Sequence, residues 1–239
     1  MTVAIVTGAG RGLGAAIGRR LHADGAAVLL CDIDVASVER LAHELGGGAA
    51  AALLDVRDEH QWQAAVGSAA ALGDLHALVN CAARTDVREL LSISAAEWDD
   101  VLAVNLRGPF LGIRTVAPLL QARGTGRIVN VASDSAFRGR GVTGAHYASS
   151  KAGLITLTRR AAAALAADGV TVNAVAPGTV DGETVRELAG DRIEALAADI
   201  PLGRLARPAE IAGAVAWLLS DDASYVTGTT LLADGGAAL

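Results

Sequence analysis

A doubly wound α/β fold, with a parallel seven-stranded sheet between two layers of helices, is predicted by three features of this 239-residue sequence. Short apolar, β-rich runs recur seven times, helical patterns separate them, and no linker-like stretch divides the chain. Parallel neighbours need a crossover, and that crossover is right-handed in nearly every case, so alternating strands and helices wind a sheet covered on both faces. The expected unit is a single domain over 1–239, long enough for one sizeable core.

The first run, Val3–Thr7, leads into Thr7-Gly8-Ala9-Gly10-Arg11-Gly12-Leu13-Gly14, after which Ala15–Leu21 reads as an amphipathic helix. A strand that feeds a helix through glycines suits a pyrophosphate. The backbone can turn sharply and approach the phosphates, and the first free N–H groups of the helix, with its dipole, favour negative charge. Gly8, Gly12 and Gly14 space as GxxxGxG, not GxGxxG. Arg11 and Leu13 lie on the same loop and are expected to touch the same ligand.

The second run, Ala26–Cys31, ends in Asp32, eighteen residues after Gly14. A carboxylate there can accept from an adenosine ribose diol and repel a 2′-phosphate, so NAD(H) is favoured over NADP(H). The competing use of such an acid is a helix N-cap, which Asp34 could fill instead. Arg11 is the opposing feature, a cation that could serve a 2′-phosphate.

The third run, Ala50–Leu54, delivers Asp55 and Val56, and the fourth, Leu75–Asn80, delivers Asn80. Ligands of doubly wound sheets bind beyond the carboxyl ends of the strands, which places Asp55 near an adenine amino group and Asn80 on the adenosine side. The fifth run, Arg127–Val131, leads to Ser133, and a helix then carries Tyr147-Ala148-Ser149-Ser150-Lys151. Residues i and i+4 share a helix face, and an ammonium near a phenol with an ordinary pKa of about 10 favours its phenolate. The sixth run is Val170–Ala174 and the seventh Thr229–Leu232. The alanine runs Ala49–Ala52 and Ala161–Ala164 fall within periodic segments, where alanine favours helix and permits close packing.

Composition narrows the function classes. Hydrophobic residues make up 52%, yet no apolar stretch approaches the ~18 residues of a membrane span. The formal charge is −6 and the basic residues are scattered, which argues for small molecules over nucleic acid as partners. Cys31 and Cys81 lack a CxxC partner and read as free thiols, and the five histidines show no paired-ligand spacing, so no metal is expected. The N-terminus shows no basic or cleavable leader, and a cytoplasmic location is expected.

Taken together, Thr7 to Gly14, Ser133, Tyr147 with Lys151, Asn105 in Val104-Asn105-Leu106-Arg107-Gly108, and Pro177-Gly178 after the sixth strand resemble the short-chain dehydrogenase/reductase family over essentially the whole chain. That resemblance implies a Rossmann-type fold and hydride transfer between nicotinamide C4 and a carbinol or carbonyl carbon. It implies that Tyr147 exchanges the proton and that Ser133 hydrogen-bonds the reacting oxygen. Lys151 would hold the nicotinamide ribose and lower the tyrosine pKa, Asn105 would position a water, and backbone around Pro177, Gly178 and Val180 would meet the carboxamide. Tetrameric assembly through the C-terminal elements, and a substrate lid over about 179–203, follow from the same resemblance.

The sequence departs from the family pattern in places. Asn80-Cys81-Ala82-Ala83 lacks the final glycine of the usual Asn-Asn-Ala-Gly, His76 stands where an acid is common, and Ser135 lies beside Ser133. The strand register favours Ser133. The expected activity is an NAD(H)-dependent interconversion of a secondary alcohol and a ketone. The alternatives are an NADP(H)-preferring ketoreductase and a non-catalytic dinucleotide-binding regulator, against which the full Asn105, Ser133, Tyr147 and Lys151 set argues. Enoyl reduction fits poorly with the Tyr–Lys spacing, and sugar-nucleotide epimerisation with the chain length.

Overall fold

The computed structural model describes residues 2–139, 143–182, 185–186 and 193–239. Seven strands, β1 (Thr2–Thr7), β2 (Ala27–Asp32), β3 (Ala49–Leu53), β4 (Asp74–Asn80), β5 (Gly126–Val131), β6 (Val170–Pro177) and β7 (Thr230–Ala233), form one sheet in the order β3-β2-β1-β4-β5-β6-β7. Every pairing is parallel.

Successive strand residues point to opposite faces. Ile5, Leu29, Leu78 and Ile128 therefore join one core with Trp62 of α3 (Glu59–Leu72), Leu111 and Leu120 of α5 (Gly108–Arg123), and Leu165 of α6 (Ala145–Leu165). Their neighbours Val6, Val28, Val79 and Val129 join a second core. It holds Ile17 of α1 (Gly12–Ala23), Leu41 of α2 (Val35–Leu45) and Val215 of α8 (Pro208–Leu219). Among the described residues the other α-helices are α4 (Ala95–Leu102), which runs into a π-helical turn at Ala103–Arg107, and the short α7 (Ile193–Ala198).

All seven expected strands are present, and two local readings are refined. Ala161–Ala164 lie in α6, but Ala49–Ala52 form β3, paired with β2 from Val28 to Cys31. Pairing at the sheet edge overrides the helical preference of alanine, a small effect per residue. Strand β6 runs past Ala174 to Pro177, fully buried along its length, and so carries Pro177 to the carboxyl edge. Part of the expected lid, residues 183–184 and 187–192, lies outside the described residues; its later part contains α7. Strand order reverses between β1 and β4, and the two chain segments leaving that point open the crevice in which doubly wound sheets bind ligands.

Candidate active site

The β1-to-α1 loop is shaped by contacts that exclude side chains. Gly8 has φ +68°, and a Cβ on it would lie 2.7 Å from Ala82 Cα, while one on Gly14 would collide with the Gly8 carbonyl oxygen. Gly12 has φ +55° with open space around it. Thr7 fastens this loop to the end of β4, its Oγ1 accepting from the Cys81 and Ala82 amides at 3.1 Å each. That clasp went unread in the sequence because its partners lie more than seventy residues away. Among the described residues no non-glycine residue has positive φ, so Ala83 replaces the family glycine without strain.

Helix ends show where an anion fits. Asp34 caps α2, Asp58 caps α3 and Ser94 caps α4, each accepting backbone N–H groups. At α1, Arg11 makes no side-chain cap and the first turn contains no acid. The leading amides of α1 are left for an external acceptor, and a pyrophosphate suits them. Leu13, in that first turn, packs at the margin of the second core.

Asp32 does not cap a helix. Its carboxylate accepts from the Gly10 amide at 2.9 Å and from the Asp34 amide at 3.0 Å, which holds it against the glycine loop. The division between the two acids, left open by sequence, is thus decided: Asp34 caps and Asp32 faces the cradle.

Asp55 and Asn80 are more engaged than expected. Arg57 holds the Asp55 carboxylate through Nε at 2.9 Å and Nη2 at 2.7 Å, keeping it below its ordinary pKa. Arg57 also reaches Asp100 on α4 at 2.9 Å, and Asp100 in turn pairs with Arg84. Val56 is buried, with its carbonyl accepting from Trp62 Nε1 at 3.0 Å. The Asn80 carboxamide points into the protein, donating to Asn130 Oδ1 at 2.8 Å, and Asn130 donates to Thr158 at 2.9 Å. Its side chain braces β4 against β5.

At the ends of β5 and α6 the structure gathers Ser133, Tyr147 and Lys151. Ser133 is buried on extended backbone just past β5, with its Oγ accepting from the Ser135 amide at 3.2 Å. Its hydroxyl lies close enough to the phenol of Tyr147 to pull that pKa down, but burial dominates and pushes Tyr147 up to about 12. Lys151 is buried, 5.6 Å from the Tyr147 ring centroid, and its Nζ donates to the Val131 carbonyl at 2.8 Å. Burial brings the ammonium down from its ordinary value of 10.5 to about 8. Desolvation is the largest influence on both groups, and the lysine is tied to a strand carbonyl.

Asn105 sits in the π-helical turn, buried. Its Oδ1 accepts from the Arg84 amide at 2.7 Å, and its Nδ2 donates to the Arg84 carbonyl at 2.9 Å and to Ser150 Oγ at 3.0 Å. Ser150 passes the link on by donating to the Tyr147 carbonyl at 2.7 Å. The carboxamide thus acts as a clasp between the β4 exit and α6. Such local widening of a helix is common at functional positions.

At the end of β6, Pro177 pairs with Ala233, Gly178 donates to the Ala233 carbonyl at 3.2 Å, and Val180 bridges to Ala206. These contacts line up the 177–180 backbone beside the crevice. Cys31 and Cys81 are free thiols. Among the described residues no group of three or more His, Cys, Asp or Glu is arranged to hold a metal ion, and no helix is long and apolar enough to cross a membrane.

Fold and site together define a dinucleotide-binding α/β protein whose cradle adjoins a Ser–Tyr–Lys cluster. Comparison with known proteins extends this. The profile of a family described as Enoyl-(Acyl carrier protein) reductase matches residues 8–238. Galactitol 2-dehydrogenase of Agrobacterium fabrum is 36% identical over 247 residues, covering 98% of this chain and 96% of that protein. Cis-4-hydroxycyclohexanecarboxylate dehydrogenase of Sinomonas cyclohexanicum is 41% identical over 238 residues, covering 98% and 95%. The crystal structure of a 3-oxoacyl-[acyl-carrier protein] reductase from Brucella melitensis superposes with a TM-score of 0.94 at 32% identity, covering 100% of this chain and 91% of that one. The chain belongs to the short-chain dehydrogenase/reductase family and is an oxidoreductase acting on CH–OH groups with a nicotinamide dinucleotide.

Proposed function

We propose that the protein interconverts a secondary alcohol and a ketone with NAD(H), using Tyr147 as the proton-transferring group. The observation that carries this reading is the convergence of Ser133, Tyr147 and Lys151 beside an uncapped helix N-terminus and glycine cradle. The residues fit the dinucleotide: a cradle that Cβ atoms would fill, free leading amides on α1, and a carboxylate at the ribose end. When bound, the cofactor supplies hydride exchange at nicotinamide C4.

With its pKa pushed up to about 12, Tyr147 holds its proton at neutral pH and is ready to donate it to a carbonyl oxygen. Ser133 donates a hydrogen bond to the same oxygen and fixes it against the phenol. The Lys151 ammonium binds the nicotinamide ribose, while the Val131 carbonyl holds its Nζ in place. Asn105 acts through Arg84 and Ser150 to set the position of α6, and the backbone of Pro177, Gly178 and Val180 receives the carboxamide. Asp32 accepts from the adenosine ribose hydroxyls and repels a 2′-phosphate, which supports NAD(H) over NADP(H). Arg57 neutralises Asp55 at the adenine end.

Replacement of Tyr147 by Phe tests the reading. Turnover of secondary alcohols, followed by absorbance of the reduced nicotinamide, should fall by about a thousandfold, in line with loss of a positioned acid–base group, while NADH still binds. Ordinary activity in that variant would overturn the assignment.

A further inference from the structure

A buried acid lies behind the reacting serine and takes no part in the chemistry described above. Asp134 follows Ser133 in the short 3-10 turn beyond β5, its side chain 9% exposed, and burying a carboxylate is costly unless it is paired. Its ion pair among the described residues is with Arg138, whose Nη1 donates to Oδ2 at 2.9 Å. The other oxygen, Oδ1, stands 3.3 Å from Ser133 Oγ. A hydroxyl has one proton to give, and of the two acceptors near Ser133, the Asp134 carboxylate and Ser135 Oγ at 3.1 Å, the carboxylate is the stronger. Ser133 Oγ, which also accepts from the Ser135 amide, then meets the Tyr147 phenol with its remaining lone pair. The hydrogen bonds run from phenol to serine to carboxylate, the direction that keeps a proton on the phenol.

We propose that Asp134 is a positioning residue that, through Ser133 and by its own charge, holds the proton on Tyr147 and so raises the pH at which the site can take a proton from an alcohol. This rests on the alcohol–ketone reading above. Among the described residues the groups facing the phenol come from three elements. The turn after β5 brings Ser133 and the Asp134 charge, and the β4 exit brings the Cys81 thiol, which burial pushes up to about 11 and so keeps neutral at ordinary pH. Lys151 stands on α6 itself, 5.6 Å from the ring centroid. Burial is the largest influence on the phenol, and the Asp134 charge adds to it in the same direction, since a negative neighbour disfavours a second negative charge. Arg138, on the other carboxylate oxygen, balances part of that charge. The pair therefore suits the site to giving a proton to a ketone at neutral pH and to oxidising alcohols in alkali.

The test needs a single phenol, and the chain has two tyrosines, Tyr147 and the fully exposed Tyr225, so Tyr225→Phe serves as the parent. Ultraviolet absorbance of tyrosinate, titrated against pH with circular dichroism alongside to confirm the fold, then reports Tyr147 alone. Removing a charge one hydroxyl away, partly balanced by its arginine, should lower the phenol's midpoint by about one pH unit. At about pH 11, roughly a tenth of the parent phenol and about half of that in Asp134→Asn should therefore be ionised. The alkaline limb of secondary-alcohol oxidation, read as kcat/KM with NAD+, should move down by the same interval. Asp134→Glu, which keeps the charge, should titrate like the parent. If the asparagine variant fails to fold, Asp134→Asn with Arg138→Gln removes both charges together and should shift the titration in the same direction. A role confined to anchoring Arg138 predicts no shift. A titration that is the same in Asp134→Asn and its parent, or an absorbance shift with an unmoved rate limb, overturns the proposal. A shifted titration in a protein that turns over no secondary alcohol supports the action of Asp134 on Tyr147 and overturns the alcohol–ketone reading alone.

Discussion

Replacing Lys151 by Met should stabilise the protein at neutral pH while removing its activity, and the sign of the stability change should reverse at high pH. Burial brings Lys151 from 10.5 to about 8, so keeping it charged in the folded protein costs about 3 kcal/mol below pH 8. Between those pH values the unfolded chain binds more protons than the folded one, so stability rises with pH across that window and the cost is nearly gone by pH 10. Methionine has similar length and no charge, but it leaves the Val131 carbonyl without the donor now at 2.8 Å, a loss of about 1–3 kcal/mol. The net expectation is a variant about 1 kcal/mol more stable than the native protein at pH 7 and about 1 kcal/mol less stable at pH 10. Urea unfolding at both pH values, read by circular dichroism, measures it. A stability difference that does not change between the two pH values would falsify the claim that burial, and not the tyrosine, sets the lysine's ionisation.

Two further outcomes follow from the cradle. Asp32→Ala removes the acid that faces the glycine loop, and titration with NADH and NADPH should show the ratio of affinities falling by at least about tenfold, the worth of a charge-assisted hydrogen bond; an unchanged ratio would mean that the ribose lies elsewhere. Gly14→Ala forces a Cβ onto the Gly8 carbonyl and should cost roughly 2–3 kcal/mol together with dinucleotide binding. Gly12→Ala, in open space at φ +55°, should cost only about 1 kcal/mol. Similar melting temperatures for the two variants would refute the packing argument.

Much of the site was legible because its signals are local. GxxxGxG between a strand and a helix, an acid at the next strand end, and a tyrosine one helical turn before a lysine are all read within about thirty residues. The limits appear where one residue type serves two ends. Asp32 and Asp34 stand two apart at the same strand-to-helix turn, and only the direction of the carboxylates, towards Gly10 and towards Ser37, separates a cradle acid from a cap. Ala49–Ala52 carried two signals, an alanine run that favours helix and a place in the third β-rich run, and pairing with β2 decided for the strand. Asn80 was placed on the adenosine side and Asn105 beside a water, while the protein partners of their carboxamides, Asn130 for one and Arg84 with Ser150 for the other, lie 50, 21 and 45 residues away and were not legible locally.

The sequence by itself determined the strand–helix alternation, the two-faced core and the positions of Gly14, Asp32, Ser133, Tyr147 and Lys151, since periodicity and spacing act over a turn or a strand. The tertiary structure alone decided how those groups ionise and what they are free to touch. Burial is a property of everything that packs around a side chain, so the pocket that pushes Tyr147 up to about 12 and draws Lys151 down to about 8 is written across β4, β5 and α6 together.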